Sequence, residues 1–135
     1  MSSDRNHVRV VSAELEIDGS FLITQRRPDA VLGMLWEFPG GRVRAGETDA
    51  EALHRCMLDR VGLDVSVHEG LMEVVHDYGS YLLTLAVYRC TLPRPQEARA
   101  AYVNAIAWVK PEEFSQYQFP GADQHTVDLL VGALD

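Results

Sequence analysis

Residues 41–63 read GRVRAGETDAEALHRCMLDRVGL and carry the clearest signals of local structure in the chain. Thr48 and Glu51 have the spacing of a capping box, in which the threonine side chain bonds the backbone three residues on and the glutamate reaches back. Gly62 stands where a left-handed residue commonly ends a helix. The stretch therefore predicts a helix that begins after Thr48 and ends at Gly62.

Apolar residues repeat in this helix at intervals of three and four, the spacing of one helical face. They predict a single stripe that packs on the core, made of Ala50, Leu53, Met57 and Val61. The opposite face then carries Arg55, Cys56, Asp59 and Arg60. Because side chains three and four apart are neighbours on a helix, we expect Cys56, Asp59 and Arg60 to form one patch.

The segments around this helix are typical of strands. Residues 8–17 and 21–27 flank an Asp-Gly turn signal and predict a hairpin. Residues 28–46 predict a structured loop with at most one short strand, and three further strand-like runs follow the helix. Residues 120–135 predict a terminal amphipathic helix with one apolar side, made of Val127, Leu130, Val131 and Leu134. This order of elements indicates an α/β fold with a mixed sheet covered by helices.

The composition limits the size and class of the protein. The chain has 135 residues, of which 47% are hydrophobic, so we predict a single domain over residues 1–135. A formal net charge of −8 disfavours nucleic acid as the principal partner. No apolar run approaches the roughly 18 residues of a membrane span, and residues 1–10 lack the centre of a secretory signal. Because two cysteines make no disulfide framework, we expect free thiols in a cytoplasmic protein.

Residues 41–63 resemble the box of the Nudix hydrolases, whose pattern is G-x5-E-x7-R-E-U-x-E-E-x-G-U with U a bulky aliphatic residue. The positions that match this pattern are Gly41, Glu47, Arg55, Met57, Gly62 and Leu63. The runs WEFPGG (36–41) and YQFPGAD (117–123) also resemble the MutT-like branch, which cleaves nucleoside triphosphates to monophosphate and pyrophosphate. The resemblance implies a Nudix-type α/β/α sandwich that binds a small nucleotide-like ligand.

The box departs from the family pattern at the positions that carry its chemistry. Cys56, Asp59 and Arg60 stand where the family has glutamates. The resemblance implies that these positions hold Mg²⁺ or Mn²⁺, helped by a backbone carbonyl that would belong to Gly40. Replacing a carboxylate by an arginine turns an attraction of roughly 4 kcal/mol per unit charge, at about 4 Å, into a repulsion. We therefore expect weak metal binding at most, with Asp59 and the Gly40 carbonyl as the remaining ligands.

Other residues of the candidate catalytic site are also carried over from the resemblance. Glu47 and Arg55 brace the loop and helix in the family, and with Asp59 they are the candidate catalytic set. A later loop glutamate that often completes the family's metal site aligns here with Tyr102. Glu97 lies near that position but out of register.

Two of the replaced positions leave alternatives open. Arg60 could hold a phosphate directly through its planar guanidinium, or it could merely pair with Asp59, Glu47 or a surface carboxylate. We interpret Cys56 as a small buried hydrophobe and not as a ligand of a softer metal, because no histidine converges with it.

Three further residues are candidate ligand contacts by the resemblance. Arg26 matches a nucleotide-contacting position, and Arg42 matches a basic residue on the phosphate side. Asp123 stands where the family often reads the edge of the base, and a carboxyl there could accept hydrogen bonds or, if protonated, donate one. Each has a plainer reading, as a solvated arginine or as a charge near a helix N-terminus.

Three hypotheses of function follow. The first is a nucleoside di- or triphosphate-binding protein whose metal-dependent hydrolysis is weak or lost. The second is an active pyrophosphohydrolase that uses Mg²⁺ or Mn²⁺ with an unusual ligand set, drawn from Glu47, Asp59, Glu73 and Glu97. The third is a recognition module, since WEFPGG also resembles the C-terminal domain of adenine-removing DNA glycosylases. The acidic charge disfavours the third hypothesis, and the sequence does not identify a protein partner.

Overall fold

The computed structural model describes residues 6–132, apart from the side chains at 129, 131 and 132. Its first strand, β1 (Asn6–Ile17), turns back into β2 (Ser20–Gln25). Asp18 and Gly19 make the turn with φ angles of 53° and 85°, the left-handed conformation that a two-residue hairpin of this type needs at both positions. The predicted hairpin is confirmed.

The sheet is completed by strands that are distant in sequence. They are β3 (Trp36–Glu37), β4 (Gly40–Arg42), β5 (Ser66–Asp77), β6 (Tyr81–Thr91) and β7 (Ala105–Val109). One edge of β1 pairs in parallel with β6, and its other edge pairs antiparallel with β4 and then with β2. Strand β5 lies beside β6, and β3 and β7 lie on either side of β2. The predicted mixed sheet is therefore confirmed, although residues 28–46 form two short strands where at most one was expected.

The helix α1 (Asp49–Val61) has the predicted ends. Thr48 accepts a hydrogen bond from the Glu51 amide at 3.1 Å, and the Thr48 amide donates to the Glu51 carboxylate at 2.9 Å. Gly62 ends the helix with a φ of 70°. The predicted apolar stripe was wrong at Ala50, which is exposed in the first turn.

The buried face of α1 is wider than the predicted stripe, and it consists of Ala52, Leu53, Cys56, Met57 and Val61. Cys56 is only 1% exposed, so the predicted polar patch loses its thiol to the core. This confirms the interpretation of Cys56 as a small buried hydrophobe.

Helices cover the two faces of the sheet. Alternate residues of a strand face opposite sides, so Ala86 of β6 packs under α1 while Leu85 and Val87 pack against Ala122. Ala122 belongs to the second helix, α2 (Gly121–Gly132), which follows a 3-10 helix over Pro111–Gln116. This is the predicted α/β/α arrangement.

The apolar side predicted for the last helix is confirmed in part. Val127 is buried, and Leu130 packs against the same cluster of aromatic residues. The Val131 side chain and Leu134 lie outside the described residues. Within the described part of the chain, no helix is long and apolar enough to cross a membrane.

Candidate functional site

A cavity of about 720 Å³ opens on the face of the sheet that α2 covers. Apolar side chains of β1 and β6 make its floor, and its walls come from the β2–β3 loop, β4, the end of α1 and the start of α2. The cavity brings together five predicted site residues from distant parts of the chain: Arg26, Gly40, Arg42, Arg60 and Asp123.

One end of the cavity holds two carboxyl groups with little access to water. The Glu37 side chain is 15% exposed and forms an ion pair with Arg26 at 3.0 Å. Asp123 is 8% exposed and accepts a long hydrogen bond, 3.4 Å, from the Phe38 amide. Arg26 is further fixed by donating to the Val31 carbonyl at 2.7 Å. This end can therefore exchange directed hydrogen bonds with the polar edge of a ligand.

The protonation of these carboxyl groups follows from their surroundings. Burial raises the pKa of Glu37, and the Arg26 guanidinium opposes the rise. Burial also raises the pKa of Asp123 well above its usual range, and the neighbouring Glu37 charge raises it further. The pair therefore favours a state in which Asp123 keeps its proton, so that Asp123 can donate a hydrogen bond while Glu37 accepts one.

Tyr78, from the turn between β5 and β6, borders this end of the cavity. Its hydroxyl accepts a hydrogen bond from the Ala122 amide at 3.1 Å, and its ring stacks on Tyr81 with 5.2 Å between centroids. The neighbouring His76 packs against Gly121, where a Cβ would lie 2.5 Å from the imidazole. The β5–β6 turn is thereby fixed to the start of α2.

The other end of the cavity is formed where β4 passes α1. A Cβ on Gly40 would overlap the Val11 carbonyl oxygen, which explains why this position has no side chain. A Cβ on Gly41 would lie 2.8 Å from the Cys56 sulfur and 3.0 Å from Nη2 of Arg60. The absent side chain of Gly41 therefore lets the Arg60 guanidinium lie directly over the β4 backbone.

Arg60 is held at its backbone and free at its guanidinium. Its carbonyl accepts hydrogen bonds from the amides of Ala101 and Tyr102, at 3.0 and 3.1 Å. Its half-buried guanidinium lines the cavity and makes no hydrogen bond or ion pair with any residue in 6–132. None of the pairings considered for it, with Asp59, with Glu47 or with a surface carboxylate, is formed among these residues.

Glu47 and Arg55 lie beside the cavity without lining it. Arg55 donates to both carboxylate oxygens of Glu47, at 2.7 and 2.9 Å, and also to the Arg42 carbonyl at 3.0 Å. The Arg44 amide donates to the same carboxylate at 2.8 Å. These bonds lower the pKa of Glu47 to about 2, and they tie the loop after β4 to α1.

The carboxylates proposed for an unusual metal site do not converge. Asp59 and Glu97 are exposed and do not line the cavity. Glu73, on β5, forms an ion pair with Arg9 at 2.9 Å and does not line the cavity. Glu47 is bonded to Arg55 as described.

These donors do not fit Mg²⁺ or Mn²⁺, which prefer a cluster of oxygen ligands. Burial raises the pKa of the Cys56 thiol, so the thiol stays neutral, and Arg60 puts a positive charge over the β4 backbone at Gly41. In residues 6–132, no group of three or more His, Cys, Asp or Glu side chains is arranged to hold a metal ion.

A cation–π contact joins two loops across the opening of the cavity. The Arg27 guanidinium lies 4.5 Å from the centre of the Tyr102 ring, and both residues line the cavity. Arg27 also pairs with Asp29 at 3.3 Å. Tyr102 therefore contributes an aromatic wall to the cavity.

Two of these residues were missed by sequence reasoning, Glu37 and Arg27. A carboxylate between two large aromatic residues, as in Trp36-Glu37-Phe38, was the available signal for Glu37, because such an acid tends to be buried and paired. Nothing in the sequence distinguishes Arg27 from a solvated arginine.

Comparisons with known proteins agree with this architecture. A model of the NUDIX domain matches residues 10–129. The CTP pyrophosphohydrolase of Escherichia coli (strain K12) is 30% identical over 117 residues, which cover 86% of this chain and 85% of that protein. A putative 8-oxo-dGTP diphosphatase 2 of Mycobacterium tuberculosis (strain ATCC 25618 / H37Rv) is 34% identical over 130 residues, covering 93% and 89%.

Solved structures show the same fold. The MutT protein of Methanosarcina mazei Go1 superposes with a TM-score of 0.87 at 17% identity, over 99% of both chains. The solution structure of the E. coli ORF135 protein gives a TM-score of 0.79 at 28% identity, over 96% of this chain and 91% of that one. The chain therefore belongs to the Nudix family and is similar to its MutT-like members.

Proposed function

We propose that this protein binds a nucleoside di- or triphosphate-like ligand in the cavity and that its metal-dependent pyrophosphohydrolase activity is weak or lost. The observation that carries the proposal is the Arg60 guanidinium, which lines the cavity at a position where a family member would place a metal-binding glutamate. A cation there repels Mg²⁺ and attracts phosphate oxygens, so it favours binding over metal-assisted turnover.

The carboxyl pair of Glu37 and Asp123, at the end of the cavity opposite Arg60, favours a ligand that contains a nucleobase. Protonated Asp123 and ionised Glu37 together offer one donor and several acceptors. Nucleobases present donors and acceptors side by side on one edge, so the pair can bind that edge. The two relatives named above, a CTP pyrophosphohydrolase and a putative 8-oxo-dGTP diphosphatase, carry names that support a nucleotide ligand here.

An active pyrophosphohydrolase is the second candidate, and the names of these relatives favour it. In that case Mg²⁺ or Mn²⁺ would be needed, and Asp59 would have to act with carboxylates that are apart in this structure, such as Glu47 and Glu97. If hydrolysis is lost, no metal is needed. Glu47 and Arg55 then keep the bracing role that their mutual hydrogen bonds support.

A pyrophosphate-release assay tests the proposal. The natural protein is incubated with nucleoside triphosphates and diphosphate-linked compounds in the presence of Mg²⁺ or Mn²⁺. It is compared with the Cys56→Glu/Asp59→Glu/Arg60→Glu variant and, because Cys56 is buried, with an Asp59→Glu/Arg60→Glu variant that keeps the thiol. We expect no turnover, or only slow turnover, by the natural protein and faster turnover by at least one variant that stays folded.

Two results would contradict the proposal in different ways. Rapid metal-dependent turnover by the natural protein, abolished by Asp59→Ala, would make the protein an enzyme with an alternative ligand set. If none of the nucleotides bound in equilibrium dialysis, with or without metal, nucleotides would be excluded as the class of ligand.

A further inference from the structure

The charges that line the cavity are mostly paired with each other. Arg26 is paired with Glu37 at 3.0 Å, and Arg27 is paired with Asp29 at 3.3 Å. Asp123 is the remaining acidic residue of the lining, and its burial favours the neutral form. These five residues therefore add little net charge to the cavity.

Two guanidinium groups of the lining have no such partner. Among the described residues, the side chains of Arg42 and Arg60 form no ion pair and no hydrogen bond. Both are held at the backbone, since the Arg42 carbonyl accepts from Arg55 and the Arg60 carbonyl accepts from the loop at 101–102. The cavity thus has two guanidinium groups without a contacting partner, although the Arg60 charge also acts on Glu37 from a distance, in a chain whose formal net charge is −8.

The position of the Arg60 guanidinium leaves its hydrogen-bond donors available to a ligand. The guanidinium lies over Gly41 and beside the neutral thiol of Cys56, and neither neighbour offers it a strong acceptor. A planar guanidinium with unused donors on the wall of a cavity can bind two phosphate oxygens at once.

We propose that Arg60 and Arg42 form a metal-independent phosphate subsite, which takes the metal-free phosphoryl group of a nucleotide and prefers a nucleoside 5′-monophosphate to a magnesium-bound triphosphate. The inference rests on the proposed nucleotide binding and adds to it the chemical form of the ligand. A phosphomonoester carries about two negative charges at neutral pH, which matches the two free guanidinium groups. A magnesium ion on the phosphate would compete with Arg60 for the same oxygens and would be repelled by its charge.

Isothermal titration calorimetry with four defined nucleotides tests this subsite. CMP, GMP, CTP and GTP are titrated into the full-length protein, once with excess EDTA and once with millimolar Mg²⁺. We expect the monophosphates to bind equally well in both buffers, and the triphosphates to bind no more tightly with Mg²⁺ than with EDTA. We also expect each monophosphate to bind more tightly than the Mg²⁺ form of its triphosphate.

Three variants assign the effect to Arg60. Arg60→Gln should weaken monophosphate binding roughly ten- to hundredfold, the loss that corresponds to charge-assisted hydrogen bonds. Arg60→Lys keeps the charge without the planar fork and should bind with intermediate affinity. Arg44→Gln is the matched control, because Arg44 is exposed and does not line the cavity, and it should bind like the natural protein. Circular dichroism melting shows that each variant is folded.

The possible failures are distinguishable. Tighter binding with Mg²⁺ than with EDTA, or an Arg60→Gln variant that is folded and binds normally, would overturn the metal-independent subsite and leave nucleotide binding intact. If none of the four nucleotides bound in either buffer, the proposed function would fail, and the subsite with it.

Discussion

Gly41 shows how a single missing side chain shapes the site. Its absent Cβ leaves the space that the Arg60 guanidinium and the Cys56 sulfur share. We expect Gly41→Ala to destabilise the fold by about 1–3 kcal/mol, because the new methyl would lie 2.8 Å from that sulfur in a packed region. Nucleotide affinity should fall as well, because Arg60 must move.

Urea denaturation and calorimetric titration measure the two effects of Gly41→Ala. Gly70→Ala is a suitable control, because a Cβ there would make only an ordinary contact, 3.4 Å from the Tyr88 ring. A Gly41→Ala variant with unchanged stability and unchanged affinity would show that the position of the Arg60 guanidinium does not depend on the space left by Gly41.

Asp123 gives a pH dependence with a definite sign. Its folded-state pKa lies above the value of 3.8 that applies to an exposed carboxyl. At a pH between these two values the folded protein keeps a proton that the unfolded chain releases, so the stability from Asp123 is lost as the pH rises. Asp123→Asn removes this titration and keeps an oxygen for the Phe38 amide. The variant should therefore gain stability relative to the natural protein as the pH rises.

Denaturation curves at about pH 5, 6, 7 and 8 measure this gain. For a single proton it can reach about 1.4 kcal/mol per pH unit at most. The two proteins must be compared at each pH, because the carboxylates remote from Asp123 then contribute equally to both, and the remaining difference belongs to Asp123 together with its neighbour Glu37. Parallel stability profiles would mean that Asp123 is ionised in the folded protein at all of these pH values.

At the scale of elements, the ends of α1 rest on hydrogen bonds within a few residues. Thr48→Ala removes the acceptor for the Glu51 amide, and we expect a loss of about 1 kcal/mol in the free energy of unfolding. For a domain of this size the melting temperature should fall by roughly 3–5 °C. Differential scanning calorimetry measures the change, and Thr48→Ser is the control that keeps the hydroxyl. Equal losses in the two variants would show that the side-chain hydrogen bond does not stabilise the helix.

The elements that could be predicted from sequence are those with local signals. The Asp18-Gly19 turn and the capping box each depend on residues a few positions apart, so their conformations follow from short-range chemistry. The parallel pairing of β1 with β6 joins residues about 75 positions apart, from Asn6 with Tyr81 to Leu15 with Cys90. No periodicity within either strand specifies such a partner. Ala50 was misassigned for a related reason, since the face of α1 that is buried depends on the sheet below it.

At the scale of the whole molecule, the site is a product of topology. Four residues meet at one cavity from the β2–β3 loop, β3, α1 and α2, namely Arg26, Glu37, Arg60 and Asp123. The sequence named three of them as candidate contacts, Arg26 and Asp123 by their motif positions and Arg60 because a guanidinium stands where the family has a glutamate. It could not show that Arg60 is unpaired or that Glu37 is paired with Arg26, because pairing depends on where distant side chains lie.

The charge of the whole chain makes a further prediction about the kinetics of binding. An anionic ligand meets a protein with a formal charge of −8 before it meets the two free guanidinium groups in the cavity. At about 10 mM salt the Debye length is about 30 Å, so the overall negative charge slows the approach. At about 150 mM salt the Debye length is about 8 Å, and the positive charge of the cavity arginines then outweighs the overall negative charge close to their site. We expect the association rate constant for CMP to stay level or rise over this range, and the dissociation rate constant to rise because salt weakens the arginine–phosphate contact.

Stopped-flow measurements across that range of salt concentrations separate the two rate constants. In Arg60→Gln the association rate constant should follow salt as in the natural protein, because it depends on the charge of the whole chain. The dissociation rate constant should depend less on salt, because the arginine–phosphate contact is lost. A steep fall in the association rate with added salt would instead mean that the cavity attracts its ligand from a distance. The acidic surface would then face away from the entrance, and the two arginines would steer the ligand as well as bind it.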